Sequence, residues 1–392
     1  MTAVSIVADG TRARQASAQG QTTVVLQGAA GTLLGEGLRA VLPAGPADTL
    51  GARVAAFFAG ADAGAVLAGA LPFEPTQADY LVQPRATRRR RDAAPPGPPP
   101  ALRWRLRHEP DAAGYAASVR RALDVMAAGA GRPEELSKIV LSRSLVAAAD
   151  APIDPLALLA RLATDPAITG FLVPLPPRGG APRVLVGATP ELLVAKQGLR
   201  VLSHPLAGSA RRHSEPAADR AAADGLLRSE KDRREHAIVA DFILDTLAPH
   251  CRRLSAPQGM MPVGTRSMWH LGTRIEGELK DGSINAAGLA ALLHPTPAIC
   301  GLPRNMAARL IREIEPYARD FYAGAVGWCD AAGDGAWYVS IRCAEVAGHT
   351  ARLYAGAGIV PGSDPWAEAD ETAAKYGALL QALGIEMQEQ RP

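Results

Sequence analysis

A glycine-rich turn between a strand and a helix, near the C-terminal end of the chain, sets the strongest local constraint on its fold. Residues 354–376 read YAGAGIVPGSDPWAEADETAAKY, and this pattern predicts a strand, the turn and then a helix. Gly356 and Gly358 let the backbone approach a ligand closely because they carry no side chain. Residues 363–365 are Ser-Asp-Pro, so the serine or the aspartate can cap the helix while proline occupies its first position.

Two glutamates and a lysine lie on one face of this predicted helix. Glu368 and Glu371 are three residues apart and Lys375 follows four later, the spacing at which helical side chains are neighbours. The same face continues with the apolar residues Ala378, Leu379 and Ala382. Such a face favours burial, and two buried carboxylates need a cation or a shared proton. The alternative is a glutamate–lysine pair on a solvated helix face.

A second acidic pair occurs in the run SEKDRREHAIVADFILDTL. Asp232 and Glu235 are three residues apart and lie where a stripe begins that consists of Val239, Phe242, Ile243 and Thr246. Two helices that each offer a pair of acids predict a shared divalent cation. Mg²⁺ suits such a site because it binds hard oxygen ligands and keeps positions for water and an anionic substrate. The alternative is a charged helix surface, since the run is rich in both signs.

The composition argues against several classes of protein. The 392 residues suffice for one large or two ordinary domains. With 42 Lys and Arg against 39 Asp and Glu, the formal charge of +3 gives no strong field that would select nucleic acid or membrane. The four cysteines are widely spaced without a CxxC pair, which argues against zinc. No secretory leader or apolar run of membrane length is visible, so we expect a cytoplasmic protein without nucleic-acid or membrane partners.

An arginine- and proline-rich segment, RATRRRRDAAPPGPPP, occupies residues 85–100. It follows an N-terminal sub-region, residues 1–84, that is predicted to contain strands and short helices. The arginines at 88–91 could bind phosphate, but no aromatic residues alternate with them as in single-stranded nucleic-acid sites. The proline tract favours an exposed loop over the whole segment.

Strands and helices are predicted in clusters along the chain rather than in strict alternation. Helices are predicted at 112–128, 286–293 and 304–317, with one long helix at 216–249. Among the predicted strands are one that begins at residue 138 and two continuous ones at 267–279 and 336–346. Clusters of this kind indicate an α+β fold with large mixed sheets.

Nine motifs occur in a fixed order after residue 137. They are KIVLSR (138–143), GATPELL (187–193), PLAGS (205–209), SEKDRREH (229–236), WHLGT (269–273), HPTPAICGLPR (294–304), YAGAVGW (322–328), IRC (341–343) and AGAGIVPGSDPWAEADETAAK (355–375). This set resembles the chorismate-utilising enzymes, a family of isochorismate, salicylate, anthranilate and aminodeoxychorismate synthases. The resemblance covers residues 115–386. It implies one domain over residues 1–392, with two layered, mostly antiparallel sheets flanked by helices and a site in the cleft between them.

The resemblance also implies roles for charged residues. The implied substrate, chorismate, is a dicarboxylate whose ring hydroxyl must leave as a nucleophile enters two carbons away. Lys138 corresponds to the general base that activates water, which requires a pKa lowered from about 10.4. Glu191 corresponds to the general acid, which burial would keep protonated near neutrality. The implied Mg²⁺ ligands are Glu235 and Glu371, with Asp232 and Glu368 near the metal or acting through water.

A set of substrate-binding residues follows from the same resemblance. Arg342 and Tyr322 would bind the carboxylate of the enolpyruvyl side chain, the arginine through its planar fork. Lys375 would offer a point charge to the ring carboxylate, and His270 would lie near the ring. Backbone N–H or hydroxyl groups would come from Gly208, Ser209, Gly356 and Gly358.

Two features indicate which reaction of the family to expect. Lysine at position 138 favours water as the nucleophile, so no glutaminase subunit is required. Ala298 and Ile299 resemble isochorismate synthases, whereas salicylate synthases tend to carry threonine at the first position and can go on to release pyruvate. We therefore expect a Mg²⁺-dependent, reversible conversion of chorismate to isochorismate. A salicylate synthase, an aminating synthase subunit and a non-catalytic binding homologue are the alternatives, and the downstream pathway stays open.

Overall fold

The computed structural model of the chain describes residues 23–29, 31–62, 64–90, 97–99, 101–132 and 134–386. The α-helices in this part are α1 Leu50–Phe58, α2 Ala112–Gly129, α3 Pro155–Leu162, α4 Pro216–Arg228, α5 Glu230–Leu247, α6 Ala286–Leu293, α7 Arg304–Ile314 and α8 Pro365–Leu383. None of these described helices has the length and hydropathy that a membrane span needs. The prediction about the start of the chain falls on residues 1–22 and lies outside the described residues.

The β-strands of the described part are numbered along the chain. The first eleven are β1 Thr23–Gly28, β2 Gly31–Glu36, β3 Ala40–Val41, β4 Val66–Leu71, β5 Tyr80–Gln83, β6 Ala86–Arg90, β7 Trp104–Glu109, β8 Lys138–Ala149, β9 Thr169–Arg178, β10 Ala181–Thr189 and β11 Leu192–Gln197. The others are β12 Arg200–His204, β13 Leu206–Arg211, β14 Cys251–Ser255, β15 Met260–Gly264, β16 Met268–Thr273, β17 Ile275–Leu279, β18 Gly301–Leu302, β19 Ala325–Asp330, β20 Gly335–Val339, β21 Cys343–Ala347 and β22 Thr350–Ile359.

The described strands form two large sheets and a small one. The ten-stranded sheet has the order β18-β8-β22-β21-β10-β9-β1-β2-β6 with β7 paired to β8, the nine-stranded sheet has the order β14-β17-β12-β11-β20-β19-β4-β5-β3, and the small sheet is β13-β16-β15. Neighbours run antiparallel, as in the long pairing of β8 with β22. Both large sheets contribute to one apolar core, with Phe171 and Val173 from the first and Leu67 and Trp337 from the second. The predicted α+β fold of layered, mostly antiparallel sheets is confirmed.

The predicted C-terminal helix forms, and its cap is the aspartate rather than the serine. The Asp364 carboxylate accepts hydrogen bonds from two backbone N–H groups of the first turn of α8, and Pro365 occupies the first helical position. The hydroxyl of Ser363 instead accepts a hydrogen bond from Val360 N at 3.2 Å, which tightens the turn before the helix. The apolar face of α8 packs with α3 in a second core cluster, so the acidic end of α8 is held at a defined place.

Three elements predicted as continuous are broken in the structure. The helix predicted at 216–249 divides at Ser229, whose extended backbone with ψ of 112° ends α4 and caps α5. The strand predicted at 267–279 divides into β16 and β17, which belong to different sheets. The strand predicted at 336–346 divides before Arg342, whose φ of 52° lies in the left-handed region. Hydrophobic periodicity missed these breaks because no proline marks any of them.

The segment predicted as an exposed loop at 85–100 is partly a strand, so this prediction was wrong at its start. β6 pairs with β2 at the edge of the ten-stranded sheet. Arg88 and Arg89 of this strand are exposed. Charged side chains on an edge strand oppose pairing with further strands, which is a structural reason for the arginine run. Residues 91–96 and 100 lie outside the described residues.

Candidate active site

A cleft of about 70 Å³ brings most of the predicted site residues together. Strands β8, β13, β16 and β22 and helices α5 and α8 contribute to its wall, together with four connecting segments. The predicted residues on this wall are Glu191, Gly208, Ser209, Glu235, His270, Ala298, Ile299, Tyr322, Arg342, Gly356, Gly358, Glu371 and Lys375. The other three predicted residues, Lys138, Asp232 and Glu368, lie next to residues of the wall.

Lys138 begins β8, and its side chain is completely buried. Its Nζ lies 3.1 Å from Oε1 of Glu235 on α5, so the two form a buried ion pair. No described group completes a well-directed hydrogen bond with this ammonium group. Gly358 makes the ion pair possible, because a Cβ at this position would overlap with the carboxylate of Glu235. The glycine that was predicted to admit a ligand therefore also admits the pairing of two site residues.

Glu191 lies in the connection between β10 and β11 and is only 3% exposed. Burial raises the pKa of its carboxyl group to about 7, against the opposing charges of Lys138 and Arg342. A carboxyl group with this pKa is largely protonated up to neutral pH, unlike an ordinary glutamate. The expected rise in pKa is present, and this environment suits a proton donor.

Glu235 and Glu371 reach the cleft from two different helices. Glu371, on α8, forms an ion pair with Lys375, whose Nζ also donates a hydrogen bond to the carbonyl oxygen of Gly356 at 2.9 Å. Burial disfavours the charged form of Glu371, but the charge and hydrogen bond of Lys375, together with the charges of Lys231 and Arg342, outweigh burial and lower the pKa of this carboxyl group. The convergence that the two acidic motifs predicted is therefore found, with a lysine beside each acid.

Asp232 and Glu368 lie on the same two helices, three residues before these acids. Glu368 accepts a hydrogen bond from Nζ of Lys231 at 2.7 Å. Burial, followed by repulsion from Glu371, raises the pKa of Glu368. Burial also raises the pKa of Asp232, and the charges of Glu235 and Glu371 add to this rise. The carboxylates of the two helices are therefore close enough for a charge on α8 to shift the pKa of an acid on α5.

The carboxylate oxygens of this region suit the predicted Mg²⁺ ion, although three of the acids are each paired with a lysine. The ion pairs are Glu235 with Lys138, Glu371 with Lys375, and Glu368 with Lys231. Among residues in the described ranges, no three acidic, histidine or cysteine side chains are grouped so that they could hold a metal ion. Carboxylate oxygens are the ligands that Mg²⁺ prefers, so the acids would have to turn from their lysines to share it.

His270, Ser209 and Gly208 form one hydrogen-bonded group on the small sheet. Nδ1 of His270 lies 3.0 Å from the hydroxyl of Ser209 and 3.3 Å from the carbonyl oxygen of Gly208. Burial, with help from the charges of Arg342 and Lys375, lowers the pKa of His270 to about 3, so its ring is neutral. Since a carbonyl oxygen can only accept, Nδ1 carries the proton and Nε2 is left as an acceptor.

Arg342 and Tyr322 owe their places to turns rather than to strands. Arg342 has a φ of 52°, and Ala323, which follows Tyr322, has a φ of 54°, both in a region that is costly for residues other than glycine. The ring of Tyr322 stacks on that of Tyr354 at 4.5 Å between centroids. No sequence signal marks a left-handed arginine or alanine, so this part of the site could only be assigned through resemblance.

Sequence reasoning missed a buried ion pair beside the cleft. Nη2 of Arg319 lies 2.5 Å from Oε1 of Glu315, and both side chains are only 2% exposed. It also missed Lys231, the partner of Glu368. The available signal for the first pair was an acid and a base four residues apart, a spacing that is equally typical of solvated helix pairs.

A much larger cavity lies elsewhere in the described part of the molecule. It is a groove of about 1190 Å³ between α1, α6 and α7, and it contains none of the predicted site residues. Its wall includes Glu74 and Arg312, which form an ion pair of 2.9 Å. We assign the candidate active site to the cleft because buried, oppositely charged groups converge there and the pKa of one carboxyl group is raised toward neutrality.

Comparisons with known proteins agree with the family resemblance of the nine motifs. A family model described as "Chorismate binding enzyme" matches residues 75–384, which include every residue of the cleft. Isochorismate synthase DhbC of Bacillus subtilis (strain 168) is 42% identical over 332 residues, which cover 82% of this chain and 81% of that protein. Isochorismate synthase EntC of Escherichia coli (strain K12) is 39% identical over 351 residues, which cover 85% and 86%.

Solved structures share the fold. The crystal structure of DhbC from Bacillus anthracis matches with a TM-score of 0.88 at 37% identity, over 94% of this chain and 97% of that chain. The menaquinone-specific isochorismate synthase MenF from Escherichia coli matches with a TM-score of 0.80, but at 24% identity it supports the fold alone. The fold that the nine motifs implied is therefore confirmed.

Proposed function

Because this chain belongs to the chorismate binding enzyme family, we propose that it is an isochorismate synthase, which converts chorismate to isochorismate. The observation that carries this proposal is the cleft in which Glu191, with its pKa near 7, lies close to the buried Lys138–Glu235 pair. The same cleft presents Arg342 and Lys375, two cations that suit a dicarboxylate. Acid, base and carboxylate-binding groups are thus available in one place.

In the proposed reaction, water adds at C2 of the ring and the hydroxyl group at C4 leaves. Lys138 can accept a proton from the attacking water only as the neutral amine, so the ammonium group that pairs with Glu235 in the structure must first release its proton. Glu191 donates its proton to the departing hydroxyl group, which leaves as water while the ring double bonds shift. One water enters and one leaves, so the reaction is an isomerisation without an oxidant or reductant and can run in both directions.

The remaining wall residues bind and orient the substrate. We assign the carboxylate of the enolpyruvyl side chain to Arg342, whose guanidinium can form two parallel hydrogen bonds, with the hydroxyl of Tyr322 beside it. The neutral ring of His270 offers an acceptor at Nε2 to a hydroxyl group or water. Ala298 and Ile299 present apolar surface to the cleft, which leaves the side chain of the product without assistance to depart.

We further propose Mg²⁺ as the cofactor. Glu235 and Glu371 would hold it, with Asp232 and Glu368 as nearby or water-mediated ligands. Support comes from the oxygen donors themselves: burial first, and the charges of neighbouring carboxylates second, raise the pKa values of Asp232 and Glu368. Bound there, the ion would neutralise the ring carboxylate and polarise the ring as its electrons shift.

We also propose a cellular location for the protein and the partners that it needs. Water as the nucleophile requires no glutaminase subunit. All four cysteines of the chain are buried and free, as is usual in a reducing compartment, and this supports the proposed cytoplasmic location. Chorismate is the proposed small-molecule partner, and its downstream use in siderophore, salicylate or quinone synthesis stays open.

A single incubation tests the proposed reaction. The protein is incubated with chorismate and Mg²⁺, with and without ammonium, and isochorismate, salicylate, pyruvate and aminated products are separated by chromatography. We expect isochorismate as the main product, approach to the same equilibrium from either side, and loss of turnover on chelation. Stoichiometric salicylate and pyruvate would instead make the protein a salicylate synthase, and an ammonium-dependent product would make it an aminating synthase.

A further inference from the structure

A buried arginine that the proposed chemistry does not use joins three segments of the cleft wall. Arg319 lies after the end of α7, and the whole residue is 4% exposed. Its Nη1 donates a hydrogen bond to the carbonyl oxygen of Ile299 at 2.7 Å, and its Nη2 donates to that of Val140 at 2.6 Å. Its own carbonyl oxygen accepts a hydrogen bond from Tyr322 N at 2.9 Å. Ile299, Val140 and Tyr322 all lie on the wall of the cleft.

Glu315 completes this connection on the side of β8. Its carboxylate accepts hydrogen bonds from the backbone N–H and the hydroxyl of Ser142 at 2.7 and 2.8 Å, as well as from Arg319. The hydroxyl of Ser142 also lies 2.7 Å from that of Tyr317. The guanidinium of Arg319 is 4.4 Å from the ring centroid of Phe73. Carbonyl oxygens, the carboxylate and an aromatic ring therefore surround the cation.

An ion pair of this kind is a poor explanation of stability by itself. Removing two charges from water is costly, and apolar side chains of similar size often replace a buried pair without loss of stability. The geometry of the pair is nevertheless specific, because the planar fork of arginine reaches two carbonyl oxygens in fixed directions. The backbone of Val140 is also tied to the neighbouring Cys300 by a hydrogen bond of 2.9 Å between Val140 N and Cys300 O. Arg319 therefore adds two hydrogen bonds to a contact between β8 and the segment at residues 299–300 that the backbone already makes.

We propose that Arg319, held by Glu315, is a positioning residue that sets the distance between the apolar wall at Ala298–Ile299 and the strand that carries Lys138. This inference rests on the proposed function, because the distance determines how the substrate lies between the base and the apolar wall. A displaced wall would misalign the attacking water and admit pyruvate loss from the product. A misplacement of about 1 Å at a reacting centre can cost on the order of 10²-fold in rate.

The test compares Arg319 with a less buried arginine that also pairs with an acid and donates to backbone carbonyl oxygens. Arg319→Lys keeps the positive charge opposite Glu315 but cannot span both carbonyl oxygens. The matched control is Arg53→Lys, because Arg53 is paired with Asp79 and donates to the carbonyl oxygens of Pro43 and Gly45 at 2.8 and 3.1 Å. Arg53 is not on the cleft wall. The readouts are kcat, KM, the ratio of pyruvate to isochorismate, and Tm.

We expect both variants to lose some thermal stability, and only Arg319→Lys to change the chemistry. Its kcat should fall by roughly 10²-fold with a smaller change in KM, and its pyruvate fraction should rise several-fold. Equal kcat and product ratio in folded Arg319→Lys and Arg53→Lys would overturn the positioning role while leaving the proposed function intact. If Arg319→Lys does not fold, the double variant Glu315→Gln/Arg319→Met removes both charges and is judged by the same criteria. Wild-type protein that forms no isochorismate would overturn the proposed function, and this inference with it.

Discussion

The groove of about 1190 Å³ is large and its ion pair is partly exposed, whereas the cleft of about 70 Å³ is small and its ion pair is buried. In the groove, the ion pair of Glu74 and Arg312 is reached by solvent, and the Arg312 side chain is 55% exposed. In the cleft, the Lys138 and Glu235 side chains are 0% and 9% exposed. Buried charge is costly and is retained where it has a use, so the charged cleft is the stronger candidate. Volume alone would have pointed to the groove.

The same contrast explains why the cleft is small. Ligand pockets usually enclose about 300–1,000 Å³, so side chains of the cleft must move before a dicarboxylate enters. The Glu371–Lys375 pair is a natural place for this movement, because a substrate carboxylate competes with Glu371 for the same ammonium group. The groove needs no such change because its charges already face solvent. Five tests separate the two regions, in order of decreasing expected effect.

The acids that reach the cleft from two helices should have the largest effect. Glu235→Gln and Glu371→Gln keep the size of each side chain but remove its charge, so the proposed cation loses a ligand. We expect Mg²⁺-supported turnover to fall by at least ~10³-fold in each, on the scale of a lost electrostatic stabiliser. Steady-state kinetics over a range of Mg²⁺ concentrations, with circular dichroism to verify folding, provide the measurement. Unchanged activity in both variants would remove the metal assignment.

Lys138→Ala should cost at least ~10²-fold in kcat if this lysine is the general base. It should also destabilise the protein by about 3–5 kcal/mol, because the carboxylate of Glu235 would remain buried without its partner. Single-turnover rates and denaturant unfolding measure the two effects separately. If kcat of the folded variant falls by much less than ~10²-fold, Lys138 binds substrate and is not the general base.

The pH profile should show the titration of Glu191. Because a pKa near 7 makes this group a proton donor only below that pH, kcat should fall about tenfold per unit on the alkaline side. Its folded pKa lies above the ordinary 4.5, so its contribution to the free energy of unfolding should decrease as pH rises from 4.5 to 7. Rates and urea unfolding at pH 4.5–9 measure both effects. Glu191→Gln should remove this alkaline limb, and its persistence would assign the titration to another group.

Ala298→Thr should alter the product more than the rate. A hydroxyl group on the apolar wall could assist departure of the enolpyruvyl side chain, so we expect a several-fold higher ratio of pyruvate to isochorismate. Chromatography of products formed from chorismate gives this ratio, with Ala298→Val as the control for added volume. Equal ratios in wild type, Ala298→Thr and Ala298→Val would contradict the assignment of specificity to this position.

Substitutions in the groove should have the smallest effect. Glu74→Gln and Arg312→Gln remove a partly exposed pair that contributes about 0–1 kcal/mol to stability. We expect kcat/KM for chorismate within about twofold of wild type, since such surface pairs matter little energetically. A tenfold or larger change would break the distinction between the two cavities and make the groove part of the catalytic apparatus.

Features that depend on residues close together in the chain could be predicted without the structure. A cap at Ser363 or Asp364, the first-turn proline and the spacing of Glu368, Glu371 and Lys375 were all visible, because helix capping and helical faces are set within a few residues. Order and content of the nine motifs indicated the family, and the fold followed from that resemblance. The expected rise in the pKa of Glu191 was also right, because the proposed role itself required burial.

The way in which these parts meet depends on contacts between residues that are far apart in the chain. The breaks at Ser229 and Arg342 were missed because no proline marks either of them in the sequence. The ion pair of Lys138 with Glu235 joins residues 97 positions apart, and Arg319 reaches Val140 across 179 positions. No periodicity spans such distances. Which buried charges are paired, and which carbonyl oxygens an arginine joins, depend on the packing of the two sheets and their helices.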